Sequence, residues 1–217
     1  MFASRHKAAD FAGGGSLAAH HSTFTIGSNM QTENSIEDTL NAWNAQSDAV
    51  RRRRLERGGG QIGFAKPQMV EGKTGLQVMT GILEGDLPIP YMAETLGCEL
   101  IELGDGVAIF QATPQLKHYN PLGSVHGGWY ATLLDFALGC AVQTKLPAGR
   151  GYTTSQINLH IVRAANTKTG LLRCIGNALH VGRQIGTSEA RIVGPDGKLY
   201  AHATTTCTIF DIAPHVG

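Results

Sequence analysis

The feature that most constrains the fold is a stretch from Trp129 to Val142 in which nearly every side chain is apolar or small. A surface helix carries a polar stripe, so a helix without one is predicted to be buried on all sides. Asp135 is the only charged residue in the stretch. Because a carboxylate inside such a helix loses much of its hydration, it needs a partner or a function. The rest of the chain must therefore cover this helix, and Asp135 is the first candidate functional residue.

Two glycines, Gly127 and Gly128, open this helical segment, and Pro147 closes it. The first N–H groups of a helix have no intrahelical acceptor, and glycine leaves them clear of side chains. An anion or a polarised carbonyl oxygen can therefore approach them. His126, directly before the glycines, has two interpretations: a base, or a residue that orients the glycine turn through a hydrogen bond. We favour the second.

Composition argues against several classes of protein. The chain has 217 residues and is 42% hydrophobic, which suits a single domain with a tail. No apolar run approaches the roughly 18 residues that span a bilayer, and no signal-peptide pattern is found, so no membrane partner is expected. A net charge of +1 gives no reason to expect a nucleic acid. The four cysteines are far apart, so we expect reduced thiols in a cytoplasmic protein, without a disulfide frame or a metal site.

The N-terminal part of the sequence indicates a leader followed by helices. Residues 1–34 are rich in Gly, Ala, Ser and His without a hydrophobic period, which predicts a disordered leader. Residues 35–60 predict an amphipathic helix, capped at Ser35 and running to near Glu56, and then a glycine linker. Residues 61–96 are predicted to form short helices that lead into the main domain.

A basic cluster ends the predicted amphipathic helix and comprises Arg51, Arg52, Arg53, Arg54 and Arg57. One interpretation is contact with a nucleic acid. The other is that these are ordinary cations, stabilised by the helix dipole at its C-terminus. We favour the second interpretation, because a single basic cluster is weak evidence for a nucleic-acid partner.

From residue 97 onward the pattern changes to strands. Period-two alternation and β-branched residues predict six of them. They cover residues 98–103, 106–112, 153–162, 171–181, 184–193 and 198–210. The connections after the helix are mostly too short for parallel crossovers, so the sheet is predicted to be antiparallel. A helix between the second and third strands is buried on all faces only if the sheet curls around it. Residues 97–213 are therefore predicted to form an α+β domain, an antiparallel sheet wrapped around a long central helix.

The segment Asn120–Gly128, with Asp135 nine positions after His126, resembles the motif of the PaaI-like branch of the hotdog acyl-CoA thioesterases, in the 4-hydroxybenzoyl-CoA thioesterase superfamily. Three later segments of the chain are similar to later landmarks of that family: Tyr152–Leu159, Gly182-Arg183 and Asp196–Lys198. The similarity runs from about Leu87 to Phe210, and the ordered set is more specific than His-Gly-Gly alone. The resemblance implies the hotdog fold, acyl-CoA hydrolysis and a homodimer that often forms a homotetramer.

Thioester hydrolysis needs donors for the charge that develops on the carbonyl oxygen. It also needs a base that activates water, or a carboxylate that attacks directly. The N–H groups of Gly127 and Gly128 suit the first task, and Asp135 suits the second as base or nucleophile. The resemblance adds the Asn120 amide as a donor or substrate anchor, and the Thr154 hydroxyl as a group that holds the water. Asn120 can equally be a turn residue, and Thr154 only a β-former.

A distance argument bears on assembly. Asp135 follows Gly127 by eight residues, which is about 12 Å along a helix axis. A base must lie within roughly 3 Å of the proton it accepts, or one water further. One subunit therefore cannot bring both groups to one carbonyl. Two antiparallel helices across a twofold axis can do so, which predicts a homodimer with composite sites.

Other residues keep two interpretations each. Arg163 and Arg183 can hold the phosphates of coenzyme A, or they are ordinary solvated strand ends. Trp129 and Tyr130 can shape an acyl pocket, or they belong to the core or an interface. The predicted function is hydrolysis of a small aromatic or medium-chain acyl-CoA, without a metal or redox cofactor. The alternatives are a non-catalytic acyl-CoA-binding module and a hotdog dehydratase, whose histidine would be expected in a His-Phe-Pro-like context.

Overall fold

The computed structural model describes residues 28–212, with side chains from Ser35 onward. Its α-helices are α1 (Ser28–Glu56), α2 (Pro67–Val70), α3 (Gly75–Glu84), α4 (Tyr91–Leu96) and α5 (Gly127–Thr144). Its strands are β1 (Cys98–Gly104), β2 (Val107–Ala112), β3 (Arg150–Ile161), β4 (Leu172–Val181), β5 (Ile185–Val193) and β6 (Leu199–Asp211). A short 3-10 turn, Leu116–His118, lies between β2 and α5. None of the helices in this part of the chain is long and apolar enough to cross a membrane.

The six strands form one antiparallel sheet in the order β1-β2-β4-β5-β6-β3. Helix α5 contacts every one of them. A flat sheet of six strands is about 24 Å wide at about 4.8 Å per strand, whereas a helix is only about 10 to 12 Å across. The sheet must therefore curl around α5. This confirms the predicted α+β hotdog architecture and its antiparallel sheet.

Close approach between α5 and the sheet depends on two strand glycines. A Cβ on Gly176 of β4 would overlap the carbonyl oxygen of Ala137 in α5. A Cβ on Gly186 of β5 would lie 2.7 Å from the side chain of Val142. These glycines let the sheet backbone meet the helix without an intervening side chain. The helix residues Leu133, Leu134, Ala137, Leu138, Ala141 and Val142 are fully buried as a result.

Helix α1 begins at Ser28 and not at the cap predicted at Ser35. Residues 28–34 contain neither glycine nor proline, so nothing in their sequence ends the helix, and Ser35 lies inside it. The helix cap predicted at Ser35 is therefore wrong. The earlier part of the predicted leader, residues 1–27, lies outside the described residues. The helix ends at Glu56, as predicted.

Side chains of α1 pack through one stripe against β1, β2 and α3. Trp43, Ser47, Val50 and Arg54 are buried at helical spacing. Ser47, the uncharged polar residue of this stripe, lies 2.8 Å from the carboxamide of buried Gln111. The polar group is therefore hydrogen-bonded where it is buried, as the cost of desolvation requires.

The basic cluster of α1 is paired with the protein's own carboxylates. Arg51 donates to both carboxylate oxygens of Glu99, at 2.7 and 2.8 Å. Arg53 lies 3.2 Å from Glu84 of α3. Arg57 pairs with Asp86 at 3.0 Å. Exposed pairs of this kind stabilise a fold only weakly. Their presence favours the structural interpretation of the cluster over contact with a nucleic acid.

Gly176→Ala should test the close approach of sheet and helix. The added methyl group meets rigid backbone, so we expect a loss of roughly 1 to 3 kcal/mol in the free energy of unfolding. Gly63→Ala is the matched control, because a Cβ there lies 3.8 Å from the nearest atom, Pro88 Cβ. Denaturant unfolding measures both. Equal stabilities would contradict the role assigned to Gly176.

Candidate active site

Asp135 lies midway along α5 and is half-buried. Its Oδ1 accepts a hydrogen bond of 2.9 Å from the Thr154 hydroxyl. Within the described residues, this is its only hydrogen bond and no cation pairs with it. The carboxylate is therefore oriented by one donor while its other oxygen remains open to a ligand.

A bulge in β3 directs Thr154 toward this carboxylate. Thr154 pairs with Cys207 of β6, and the register then shifts so that Gln156 pairs with Thr206. Ser155 is left as the extra residue. Bulges bend a strand and re-aim its side chains, and they recur beside active sites. The Ser155 bulge was not expected from the sequence, which shows only an ordinary strand alternation there.

The side chains around Asp135 are neutral. Burial, with smaller contributions from Cys98 and Asp135, raises the pKa of the Cys140 thiol to about 12. Burial is also the main cause that raises the pKa of the Tyr152 hydroxyl, with Cys140 and Asp135 adding to it. The thiol stays protonated at neutral pH and is a poor nucleophile. Of the groups in this cluster, only the carboxylate is suited to act as a base or nucleophile.

The start of α5 is capped by His126. Its Nδ1 accepts a 2.8 Å hydrogen bond from the N–H of Gly128. Its carbonyl oxygen accepts another from the N–H of Trp129 at 2.9 Å. The N–H of Gly127 has no acceptor within residues 35–212. Gly127 therefore keeps a free donor, whereas the Gly128 N–H, predicted to bind a ligand, is bound by the cap.

The side chain of Asn120 is used within its own turn. Its Oδ1 accepts hydrogen bonds from the N–H groups of Leu122 at 2.9 Å and Ser124 at 3.2 Å. Its Nδ2 donates to the Ser124 hydroxyl at 2.9 Å. This geometry favours the turn interpretation of Asn120 over that of a substrate donor. The turn sets the path of the loop that leads to His126.

Two tyrosine hydroxyls hold the surrounding loops together. Tyr119 accepts a hydrogen bond from the N–H of Thr167 at 2.8 Å, and Tyr130 accepts one from Ala165 at 2.7 Å. The loop before α5 is thereby joined to the loop after β3. Tyr130 and Trp129 are only 1% and 4% exposed, and both belong to the core.

A cavity of about 270 Å³ is lined by Phe136, the residue that follows Asp135. Phe136, Cys140 and Gln143 line it from one face of α5, and Tyr152 lines it from β3. Sequence reasoning did not assign these residues to the site. Their spacing along the helix would have placed the first three on one face, next to Asp135.

Two predicted phosphate-binding arginines lie at opposite ends of the fold. Arg163 follows β3, and its carbonyl accepts a 3.4 Å hydrogen bond from Tyr130, near the start of α5. The carbonyl of Arg183 accepts a hydrogen bond from Arg150, at the other end of β3. Both side chains are exposed. A strand of twelve residues is roughly 36 Å long, so one chain does not bring these two arginines together.

The part of the chain that is described contains no cluster of side chains suited to bind a metal ion. No group of three or more His, Cys, Asp or Glu side chains there is placed to hold an ion. All four cysteines are free and buried.

Comparison with known proteins identifies relatives of this fold. A family model described as the thioesterase superfamily matches residues 122–201. Over 118 residues the chain is 25% identical to 1,4-dihydroxy-2-naphthoyl-CoA hydrolase from Listeria monocytogenes, an alignment that covers 54% of this chain and 93% of that protein. The solved structure of a phenylacetic acid degradation-related protein from Ralstonia eutropha is 30% identical, with a TM-score of 0.55. It is matched over 59% of this chain and 97% of its own.

The PaaI protein of Escherichia coli, from the phenylacetic acid degradation operon, shares the same fold. It is 24% identical, with a TM-score of 0.51, and the match covers 56% of this chain and 86% of PaaI. At that identity the likeness concerns the architecture alone. The sheet wrapped around α5 is therefore an arrangement that these solved structures share.

His126→Ala should lower the free energy of unfolding by about 1 kcal/mol, because the N-terminus of α5 loses its cap. His126→Asn should recover most of this loss, since asparagine is also a good capping residue. Thermal and denaturant unfolding of the three proteins measure the effect. Equal losses in the two variants would show that the histidine stabilises the turn by something other than its acceptor.

Proposed function

This chain belongs to the thioesterase superfamily and is an acyl-CoA thioester hydrolase, and we propose that it cleaves a small aromatic or medium-chain acyl-CoA to the free acid and coenzyme A. The PaaI-like resemblance recognised in the sequence is confirmed by these matches. The observation that carries the proposal is the Asp135 carboxylate, held by Thr154 at 2.9 Å, next to Phe136, which lines a largely apolar cavity. The free thiols of all four cysteines support a cytoplasmic location.

Asp135 acts on water or attacks the thioester itself. As a base, it takes a proton from a water that adds to the carbonyl carbon, and the C–S bond then breaks to release the acid and the coenzyme A thiol. As a nucleophile, its free oxygen attacks the same carbon and the C–S bond breaks, so that coenzyme A leaves as a thiolate that takes up a proton. Water then hydrolyses the resulting anhydride, which releases the free acid and restores the Asp135 carboxylate. Thr154 orients the carboxylate in both routes. The two routes share the same residues and the same products.

The free N–H of Gly127 is the donor that receives the carbonyl oxygen. It lies at the positive end of α5, where a developing negative charge is stabilised. Removing one donor of this type costs roughly a hundredfold or more in turnover. The His126 cap holds the first turn in shape, so it positions Gly127 without contacting the substrate.

The two groups belong to different subunits in this proposal. Gly127 and Asp135 lie on one uninterrupted helix, about 12 Å apart along its axis. Gly128, Thr132 and Asp135 share a face that is exposed or half-buried. A second α5, antiparallel to the first, would lie on this face and bring Gly127 of the partner subunit to Asp135. The site is incomplete without that second copy.

The edge of the sheet supports the same assembly. Strand β3 is outermost in the sheet and twelve residues long. Such an edge offers a row of unpaired N–H and C=O groups to another chain. Pairing of β3 with its twofold copy would join two sheets into one. The homodimer, and a homotetramer built from two such dimers, are the partners that we propose.

An antiparallel pair of α5 helices would also place the two exposed arginines, one from each subunit, near each other. Arg163 lies near the start of its α5, and Arg183 lies toward the end of its own. The start of one helix would lie beside the second half of the other. Arg183 would then approach Arg163 of the partner subunit, and guanidinium groups from two chains would hold the phosphates of one coenzyme A.

Asp135→Asn should lower turnover of acyl-CoA esters by about a hundredfold or more, with substrate binding retained, because a positioned carboxylate is lost. A thiol-release assay over aromatic and aliphatic acyl-CoA esters measures this. Asp105→Asn is the matched control, since Asp105 is exposed and pairs only with Lys145. Turnover of Asp135→Asn at the parent rate would eliminate Asp135 as base or nucleophile. Binding without turnover by the parent protein would favour the acyl-CoA-binding module.

Mixed dimers test whether the site is shared. Gly127→Pro removes the donor N–H, yet proline suits the first position of a helix, and His126 has the extended backbone (ψ of 140°) that precedes proline. Each variant alone should be inactive. After subunit exchange between Gly127→Pro and Asp135→Asn, the heterodimer should regain one working site. Absence of recovery from folded, exchanging subunits, shown by mass spectrometry, would contradict the composite site.

A further inference from the structure

The cavity next to Phe136 has a wall that the hotdog sheet does not supply. Val78, Met79 and Ile82 of α3 line it, together with Ile89 and with Ala93 of α4. These residues come from the N-terminal extension, residues 35–96, and precede the family match, which begins at residue 122; those of α3 also precede the sequence resemblance, which begins at about Leu87. The wall is therefore built by a part of the chain outside that match. We call this space the extension cavity.

We propose that the extension cavity binds an unbranched aliphatic acyl group of medium length, and that α3 and α4 set the length accepted. This inference rests on the proposed function, because the acyl group must start at a thioester carbonyl beside Asp135. It goes further in naming the site and the chemical class of the acyl group.

The cavity begins at Phe136, one residue after the proposed catalytic Asp135, and extends along α5. Phe136 follows Asp135 directly, and Cys140 and Gln143 continue the same helix face. From Asp135 to Gln143 the helix rises about 12 Å. Leu100 and Phe110 of the sheet face the same space. An acyl chain that leaves the carbonyl at Asp135 therefore has an apolar path along the helix.

The size of the cavity suits such a chain. A volume of about 150 Å³ is enough for benzene in an engineered cavity, whereas drug-sized ligands occupy about 300 to 1,000 Å³. At about 270 Å³ the extension cavity is larger than one aromatic ring requires. Methionine is among its lining residues, and its flexible side chain adapts to a chain with many conformations.

The two charged groups in the wall, Arg54 and Glu99, are already hydrogen-bonded. Buried Arg54 donates to the carbonyl oxygens of Leu83 and Leu100, each at 3.2 Å. Glu99 is held by Arg51. Burial lowers the pKa of the Arg54 guanidinium, and the charge of Glu99 partly opposes this. A carboxylate at the end of the acyl group would find Arg54 already engaged, whereas a methyl end needs no hydrogen-bonding partner.

Binding of S-alkyl coenzyme A thioethers, which cannot be hydrolysed, tests the proposal directly. The dissociation constant, measured by calorimetry on the homodimer, should fall roughly fourfold for each added methylene until the cavity is filled. Thiol release from the matching acyl-CoA esters should show the same optimum in kcat/KM. An affinity that does not change with chain length, or a preference for aromatic over aliphatic acyl groups, would overturn the inference.

Two substitutions in α3 should move the optimum in opposite directions. Val78→Phe fills the cavity and should weaken binding of long thioethers about tenfold, with the shortest unaffected. Ile82→Ala enlarges it and should shift the optimum to longer chains. Thr80→Phe, on the exposed side of α3, and Ile62→Ala, outside the cavity, are the matched controls.

The outcomes separate this inference from the proposed function. If the protein hydrolyses acyl-CoA esters but neither Val78→Phe nor Ile82→Ala changes the optimal acyl-chain length, the assignment of the cavity is wrong. The thioesterase proposal would remain intact. If thioether binding depends on chain length but no ester is hydrolysed, the assignment of the cavity stands and the proposed hydrolysis is contradicted. Circular dichroism shows whether each variant is folded. If Val78→Phe does not fold, Ile82→Ala alone tests the assignment of the cavity.

Discussion

One requirement governs this structure: α5 has to be covered on nearly every side, and a flat sheet can cover only one. The sheet meets the requirement by curling until all six strands touch the helix. Gly176 and Gly186 permit the contact, because any larger side chain would hold the strands away from the helix. Helices α3 and α4 pack beside β1 on the side that the sheet leaves open.

Deep burial makes each polar group on α5 consequential. Asp135 has no cation beside it in the described chain, and a single donor, Thr154, orients it. At the start of the same helix, the cap takes one N–H and leaves the N–H of Gly127 free. Each α5 therefore offers a free donor at its start and an available carboxylate at its middle, and these two groups are too far apart to act in the same site. This is why we propose that a twofold partner completes the site.

The N-terminal extension connects the stability of the fold with its chemistry. Arginines of α1 hold it to β1 and α3 through Glu99 and Glu84. Once held there, α3 and α4 close a cavity that Phe136, the residue after Asp135, lines from α5. Substitutions that weaken the packing of the extension would therefore change the shape of the proposed acyl-binding cavity and also lower the stability of the domain.

The sequence by itself determined the six strands, the buried helix and the position of Asp135 on it, because hydrophobic period and short connections are local properties. It did not determine that Thr154 is aimed by a bulge, that the Gly128 N–H is bound by His126, or that Asn120 is used in its own turn. Each of these depends on which partner lies within hydrogen-bonding distance, and only the folded chain fixes that. The extension cavity was beyond sequence reasoning for the same reason, since its walls come from segments far apart along the chain.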